Sequence, residues 1–209
     1  MQKAAIILLC LPLFANAQNL NKQYVDKGLL RAQGNIALGV PTYTSAGINM
    51  YLVGDLEYYV ENNVSIKGSI NYYLGSFGGS GNFKMNHSGF LGSNFHFRTH
   101  SHFDPYVGVF PGYAVGQLNE KVVALSGLEP QSSNPVVLSP LISFAGGFNY
   151  YANRFFSLFI NAQYVIGTHL SDVAPVSLNE LKVSFGLGYH IWATKKHIGF
   201  RKPGHQKRY

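Results

Sequence analysis

This 209-residue chain has little cysteine, little charge and few long hydrophobic runs. Its one cysteine, Cys10, lies near the N-terminus, so the rest of the chain cannot form an internal disulfide. Charged residues make up 12% of the chain, against about 25% in ordinary globular domains. Beyond Phe14, no run reaches the roughly 18 apolar residues that indicate a membrane-spanning helix. A disulfide-stapled domain, an ordinary cytosolic domain and a helical membrane protein are therefore poor interpretations.

The N-terminal segment has the organisation of an export signal. In MQKAAIILLCLPLFANAQ, Lys3 precedes an apolar run that ends at Phe14, and the small-residue triplet of residues 15–17 follows. We predict that residues 1–17 are a signal peptide, cleaved before Gln18. Cleavage would remove Cys10, and residues 18–29 would form a periplasmic N-terminal segment.

The net charge of +7 comes mainly from the C-terminal end. Residues 18–192 contain nine Lys/Arg and nine Asp/Glu, whereas residues 193–209 hold six of the sixteen Lys/Arg. Without a basic folded body, nucleic acid is not an expected partner. We expect 193–209 to be a basic periplasmic tail whose charge suits peptidoglycan or anionic headgroups. A solvated extension is the alternative interpretation.

Eight segments between residues 30 and 192 alternate apolar with polar or small residues. In INMYLVGDLEYYV, for example, Met50 and Leu52 alternate with Asn49, Asp55 and Glu57. This period of two is typical of β-strands. Each segment is about the 9–11 residues that a tilted strand needs to cross a bilayer.

The connections between these segments alternate in length. ENN, HSHFD and ANR are short, whereas the linkers around 75–88, 117–139 and 168–178 are long. This pattern is typical of an outer-membrane barrel, and only a closed sheet satisfies its backbone in lipid. We predict an all-β fold over residues 30–192: a closed antiparallel eight-stranded transmembrane β-barrel. A soluble β-sandwich also alternates, but the aromatic residues at the strand ends, such as Tyr58 and Tyr150, favour the barrel.

The polar stripe of such a barrel faces the lumen. An eight-stranded barrel is just wide enough for its own side chains to fill it, and buried charges need partners. We therefore predict a lumenal charge network and no open pore, with a small gated conductance as the alternative. Its members would be Arg31, Asp55, Glu57, Lys67, Arg98, Glu180 and Lys182.

Three stretches, GGFNYYANRFFSLFINAQY, DPYVGVFPGY and LKVSFGLGYHIW, resemble the small outer-membrane β-barrel proteins of the OmpA/OmpX-like group, especially those of Bacteroidota. The resemblance implies a location in the bacterial outer membrane, in contact with outer-membrane lipid and lipopolysaccharide, and it says little about function. We predict a monomer without a cofactor that has a structural or surface-interaction role. In the family, the assembly machinery reads a terminal strand of alternating apolar residues, matched here by Phe185, Leu187, Tyr189, Ile191 and Trp192.

Two short motifs contain residues that could carry chemistry. HFRTHSH places His96, His100 and His102 at a spacing that suits Zn²⁺, although ordinary turn histidines are the alternative. GTHLSDV resembles the site of the lipid A 3-O-deacylases. That resemblance implies Ser171 as nucleophile, His169 as base and Glu180 as orienting acid, and it makes a lipid A-modifying hydrolase the alternative function.

Overall fold

A computed structural model describes residues 25–42, 47–78, 81–97, 102–125, 135–153, 155–171 and 176–192. The predicted signal peptide, most of segment 18–29 and the basic tail 193–209 lie outside the described residues. In the part of the chain that is described, no helix is long and apolar enough to cross a membrane.

The described chain forms strands and one short helix. The elements are β1 (Leu29–Pro41), β2 (Ile48–Glu61), β3 (Val64–Phe77), β4 (Phe83–His96), β5 (Phe103–Leu118), α1 (Glu120–Leu125), β6 (Val137–Tyr151), β7 (Phe156–His169), β8 (Val176–Ser177) and β9 (Glu180–Trp192). The long strands have 13 to 16 residues. They exceed the predicted 9–11 residues, most of all in β5 and β6, which have 16 and 15 residues.

One predicted linker was wrong in its extent. β4 begins at Phe83, so residues 78–82 alone connect it to β3 instead of the whole of 75–88. The polar stretch after Phe83 looks like a loop in sequence. It is a strand because Asn86 and Ser88 pair with Gly116 and Ala114 of β5.

The sheet closes on itself. Each long strand pairs antiparallel with its neighbour along the chain, β7 pairs with β9, and β1 pairs with β9 from Leu29↔Trp192 to Pro41↔Glu180. The two-residue β8 pairs only with the end of β7. The predicted fold class, a closed eight-stranded antiparallel barrel, is confirmed.

The barrel is polar inside and apolar outside. Along β1, Arg31, Gln33 and Asn35 are buried, whereas Ile36 and Leu38 are exposed. A soluble sandwich buries its apolar stripe between two sheets, so this outward stripe and the closed ring exclude that alternative. Both chain ends of the barrel, Leu29 and Trp192, lie at one end, which we call the terminal end. The opposite end is the loop end.

The alternation of residues predicted a lumen that is polar along its whole length, but the structure differs. Its loop-end half contains an apolar cluster that includes the rings of Phe90 and Phe110. These rings occupy space that inward glycines of adjacent strands leave free. A Cβ at Gly112 would lie 2.5 Å from Cδ1 of Phe90, and a Cβ at Gly92 would lie 2.7 Å from Cδ1 of Phe110.

A cap closes the loop end of the lumen. Val123 of α1 and Leu178, which follows β8, are buried in the same apolar cluster. The backbone N–H of Leu178 donates to the carbonyl of Gly167, 2.8 Å away, and the N–H of Asn119 donates to the carbonyl of Asn82, also 2.8 Å away. The described parts of two connections that were predicted only as long loops, α1 and residues 176–179, therefore fold over the mouth of the barrel.

We predict that Gly112→Ala destabilises the barrel, because the added methyl group collides with the Phe90 ring and the backbone of Gly89. Overpacking of this kind costs about 1–3 kcal/mol. Urea unfolding of the protein in lipid vesicles measures the effect. Gly54→Ala is the matched control, because a Cβ there meets nothing within 4 Å. Equal unfolding midpoints for the two variants would contradict the proposed packing.

Candidate functional site

The largest polar constellation fills the terminal-end half of the lumen and is centred on Arg31. Nε of this residue donates to Oε2 of Glu57 at 3.0 Å, and its Nη2 donates to the same oxygen. Nη1 donates to the Tyr151 hydroxyl at 3.1 Å and lies 3.6 Å from Oδ2 of Asp104. The guanidinium group from β1 is therefore held by β2, β5 and β6 together.

His96 lies between two carboxylates in the same constellation. Its Nδ1 is 2.8 Å from Oδ1 of Asp104, and its Nε2 is 3.2 Å from Oε1 of Glu57. An ionised carboxylate can only accept a hydrogen bond, so a ring that bonds both must carry a proton on each nitrogen. This geometry favours a doubly protonated, cationic His96, whose Nε2 also lies 2.9 Å from the Ser65 hydroxyl.

With His96 charged, the described lumenal ions balance. Nζ of Lys67 lies 2.9 Å from Asp55, and Nζ of Lys182 lies 3.7 Å from Glu180 and 3.9 Å from the centre of the Tyr51 ring. The lumen of the described chain therefore contains four cations and four anions, namely Arg31, Lys67, His96, Lys182, Asp55, Glu57, Asp104 and Glu180. Balance of this kind is what buried charges require.

Of the seven residues predicted for the lumenal network, the structure places six inside the barrel, each in an ion pair. The seventh, Arg98, lies outside the described residues. Asp104 was missed because it follows the HSH turn and looks like part of that turn. Its parity with the buried Phe110 would have placed it in the lumen.

Two small cavities lie between the described lumenal side chains. One, of about 20 Å³, lies at mid-barrel beside Asp55, Lys67 and Lys182, and another of about 20 Å³ lies under the cap beside Phe83 and Leu178. A cavity of this size holds about one water molecule. The mid-barrel cavity also borders Asp55, whose Oδ1 has no protein partner among the described residues, and a water there would supply one.

The three predicted zinc ligands do not meet in the described residues. His96 is bonded to Asp104 and Glu57, while Nδ1 of His102 donates to the carbonyl of Tyr151 at 2.6 Å. His100 lies outside the described residues. Within the described part of the chain, no group of three or more His, Cys, Asp or Glu side chains is arranged to hold a metal ion.

The hydrolase residues inferred by resemblance, Ser171, His169 and Glu180, all lie at the loop end. Glu180 accepts hydrogen bonds from Asn49 Nδ2 at 2.6 Å and from the Tyr51 hydroxyl at 2.8 Å. Neither ring nitrogen of His169 has a hydrogen-bond partner among the described residues. Ser171 is only 9% exposed.

The fold, the outward apolar stripe and the lumenal ion pairs define a small transmembrane β-barrel. No family model matches this chain, and no curated protein does. The likeness to solved structures is one of fold, because the identities are 15% or lower for the three described next.

The outer membrane protein OprG from Pseudomonas aeruginosa superposes with a TM-score of 0.62 and 15% identity, covering 80% of this chain and 97% of that protein. Neisserial surface protein A (NspA) gives a TM-score of 0.53 and 13% identity, over 78% and 96% of the two chains. Ail, the attachment invasion locus protein of Yersinia pestis, gives 0.50 and 13%, over 79% and 99%. This chain thus has the fold of small outer-membrane β-barrels.

We predict that Glu57→Gln strongly destabilises the barrel, since it leaves Arg31 and His96 without their shared carboxylate. Removing one partner of a buried ion pair costs about 3–5 kcal/mol. The urea-unfolding midpoint in lipid vesicles is the measurement. Glu61→Gln is the control, because its pair with Lys27 is exposed and its loss should leave the midpoint unchanged. Similar midpoints for both variants would contradict the importance assigned to the network.

Proposed function

We propose that this protein is an integral bacterial outer-membrane barrel with a sealed lumen, which acts through its surface as a structural or interaction protein and not as a porin. The observation that carries the proposal is the packing of the described side chains in the lumen. Ion pairs occupy the terminal-end half and the middle of the barrel, and the apolar cluster with its cap occupies the loop-end half beside the Lys182–Glu180 pair. The two lumenal cavities described above, of about 20 Å³ each, are too small for hydrated ions, which supports a lumen without a conducting path.

The orientation follows from the strand connections. Leu29 and Trp192, the two ends of the barrel, lie at the terminal end together with the short β2–β3, β4–β5 and β6–β7 connections, and this end is the periplasmic side in barrels of this kind. The loop end, with α1 and β8, would then face outward. Surface loops on a rigid scaffold are where binding functions concentrate, so we assign the interaction role to this end.

Three partners complete the proposal. The exposed apolar side chains of β9, among them Phe185 and Leu187, support recognition of this strand by the outer-membrane assembly machinery. Outer-membrane lipid and lipopolysaccharide would surround the apolar exterior. The composition of residues 193–209 supports contact with peptidoglycan or anionic headgroups on the periplasmic side. Monomeric state and Bacteroidota origin stay predictions from the sequence.

We predict no steady conductance when the purified protein is reconstituted in a planar lipid bilayer. The physical reason is the closed lumen, which offers no continuous water path. A porin reconstituted in the same way supplies the positive control. Stable, voltage-independent channel openings from correctly folded protein, identified by its heat-modifiable migration on gels, would overturn the sealed-lumen proposal.

Orientation can be tested by cysteine labelling, because the only cysteine lies in the predicted signal peptide. Val136 precedes β6 at the loop end and Glu61 ends β2 at the terminal end, and both are exposed. A membrane-impermeant maleimide should label Val136→Cys in intact cells. It should label Glu61→Cys only after the outer membrane is permeabilised. The reverse pattern, or equal labelling in intact cells, would refute the proposed location or orientation.

A further inference from the structure

The lipid-facing surface is not evenly filled, and an apolar groove of about 1480 Å³ crosses β2 to β5. Its walls are outward side chains of these strands: Leu52, Leu56, Ile70, Leu91, Tyr113 and Val115. Lipid chains cover any outward surface of this barrel, but a groove of defined shape can bind one kind of lipid more tightly than another.

The floor of the groove is formed by glycines around Ile70. Gly54 and Gly89 are the cross-strand partners of Ile70 on its two sides, and Gly68 precedes it on the same face of β3. Without neighbouring side chains, Ile70 is 71% exposed. The groove is therefore split into two channels, one on each side of this side chain, and each channel is open to an extended hydrocarbon chain.

A single exposed cation lies on the loop-end side of this groove. Among the described residues of the eight long strands, Lys84 is the one lysine or arginine with an exposed side chain. A bulge presents it: Phe83 pairs with Leu118 and Met85 with Gln117, so Lys84 is an extra residue in β4. Bulges re-aim side chains in this way. Lys84 lies three residues before His87, a groove residue whose ring stacks on Tyr72 with centroids 4.2 Å apart.

We propose that this groove binds a phosphorylated, multiply acylated lipid of the outer leaflet, of the lipid A type. Two acyl chains lie in the channels beside Ile70, and a headgroup phosphate contacts Lys84. The cationic side chain of Lys84 at the loop end suits the anionic phosphate of such a lipid, and the apolar channels below it suit the acyl chains. The inference rests on the proposed function, because the loop end meets the outer leaflet only in the proposed orientation.

The test is native mass spectrometry of the purified full chain in detergent, titrated with bis-phosphorylated lipid A or with dipalmitoyl phosphatidylethanolamine. Lipid A should bind more tightly than phosphatidylethanolamine. Lys84→Gln should weaken lipid A binding about fivefold, the effect of one lysine near an anionic lipid surface. Gly89→Leu and Gly54→Leu should weaken it further, because the new side chains occupy the channels.

Two control variants match these changes elsewhere on the barrel. Lys27→Gln removes an exposed cation at the terminal end, and Gly146→Leu adds an outward side chain on β6, where a Cβ has only ordinary contacts, the nearest at 3.7 Å. Both should bind lipid A as the parent does. Equal binding by all variants, or equal binding of both lipids, would overturn the proposal.

Two further outcomes are also decisive. A Cβ at Gly54 or Gly89 meets nothing within 4 Å, so loss of heat-modifiable migration in both leucine variants would show that the groove is not open and would refute the site. The proposed function is tested separately by maleimide labelling of Val136→Cys in cells. Failure of that labelling with lipid A selectivity intact would refute the location and leave the binding site standing.

Discussion

Closure of the backbone ladder between β1 and β9 is the constraint on which the other features of this structure depend. A strand in hydrocarbon has no water to satisfy its N–H and C=O groups, so every strand needs a partner on both sides. Pairing from Leu29↔Trp192 to Pro41↔Glu180 supplies the last of them. Once the ring is closed, alternate side chains must point either to lipid or into a narrow lumen. The composition of both faces follows from that separation.

The two ends of the lumen are packed with side chains of different chemistry. At the terminal end, the backbone brings charged groups from four strands into contact, and Glu57 is shared between Arg31 and His96. At the loop end, aromatic rings lie over the inward glycines of adjacent strands, as with Phe90 and Gly112. A similar arrangement holds the ion pair of Lys182 with Glu180. The carboxylate of Glu180 lies over Gly39, where an added Cβ would overlap it.

Much of this architecture could be predicted from the sequence, because strand alternation is a local signal with a period of two. Parity alone placed Arg31, Glu57 and Lys67 inside the barrel. It could not reveal which residues meet, since Arg31 and Tyr151 are 120 positions apart and their contact depends on barrel closure. The apolar half of the lumen was missed because inward Phe110 interrupts a row of inward glycines that looks merely small. The cap was missed because α1 has only six residues, too few for a helical period to show.

The shared position of Glu57 has a consequence for how the barrel assembles. Its partners come from β1, β3 and β4, and Arg31 in turn reaches β5 and β6 through Asp104 and Tyr151. A sheet of β1 and β2 alone would leave Asp104 and His96 of the later strands to find other partners, whereas a sheet of β1 to β5 holds every ion of this cluster together with its counter-ion. The network therefore ties the placement of these five strands to one another before the ring is closed by β6, β7 and β9.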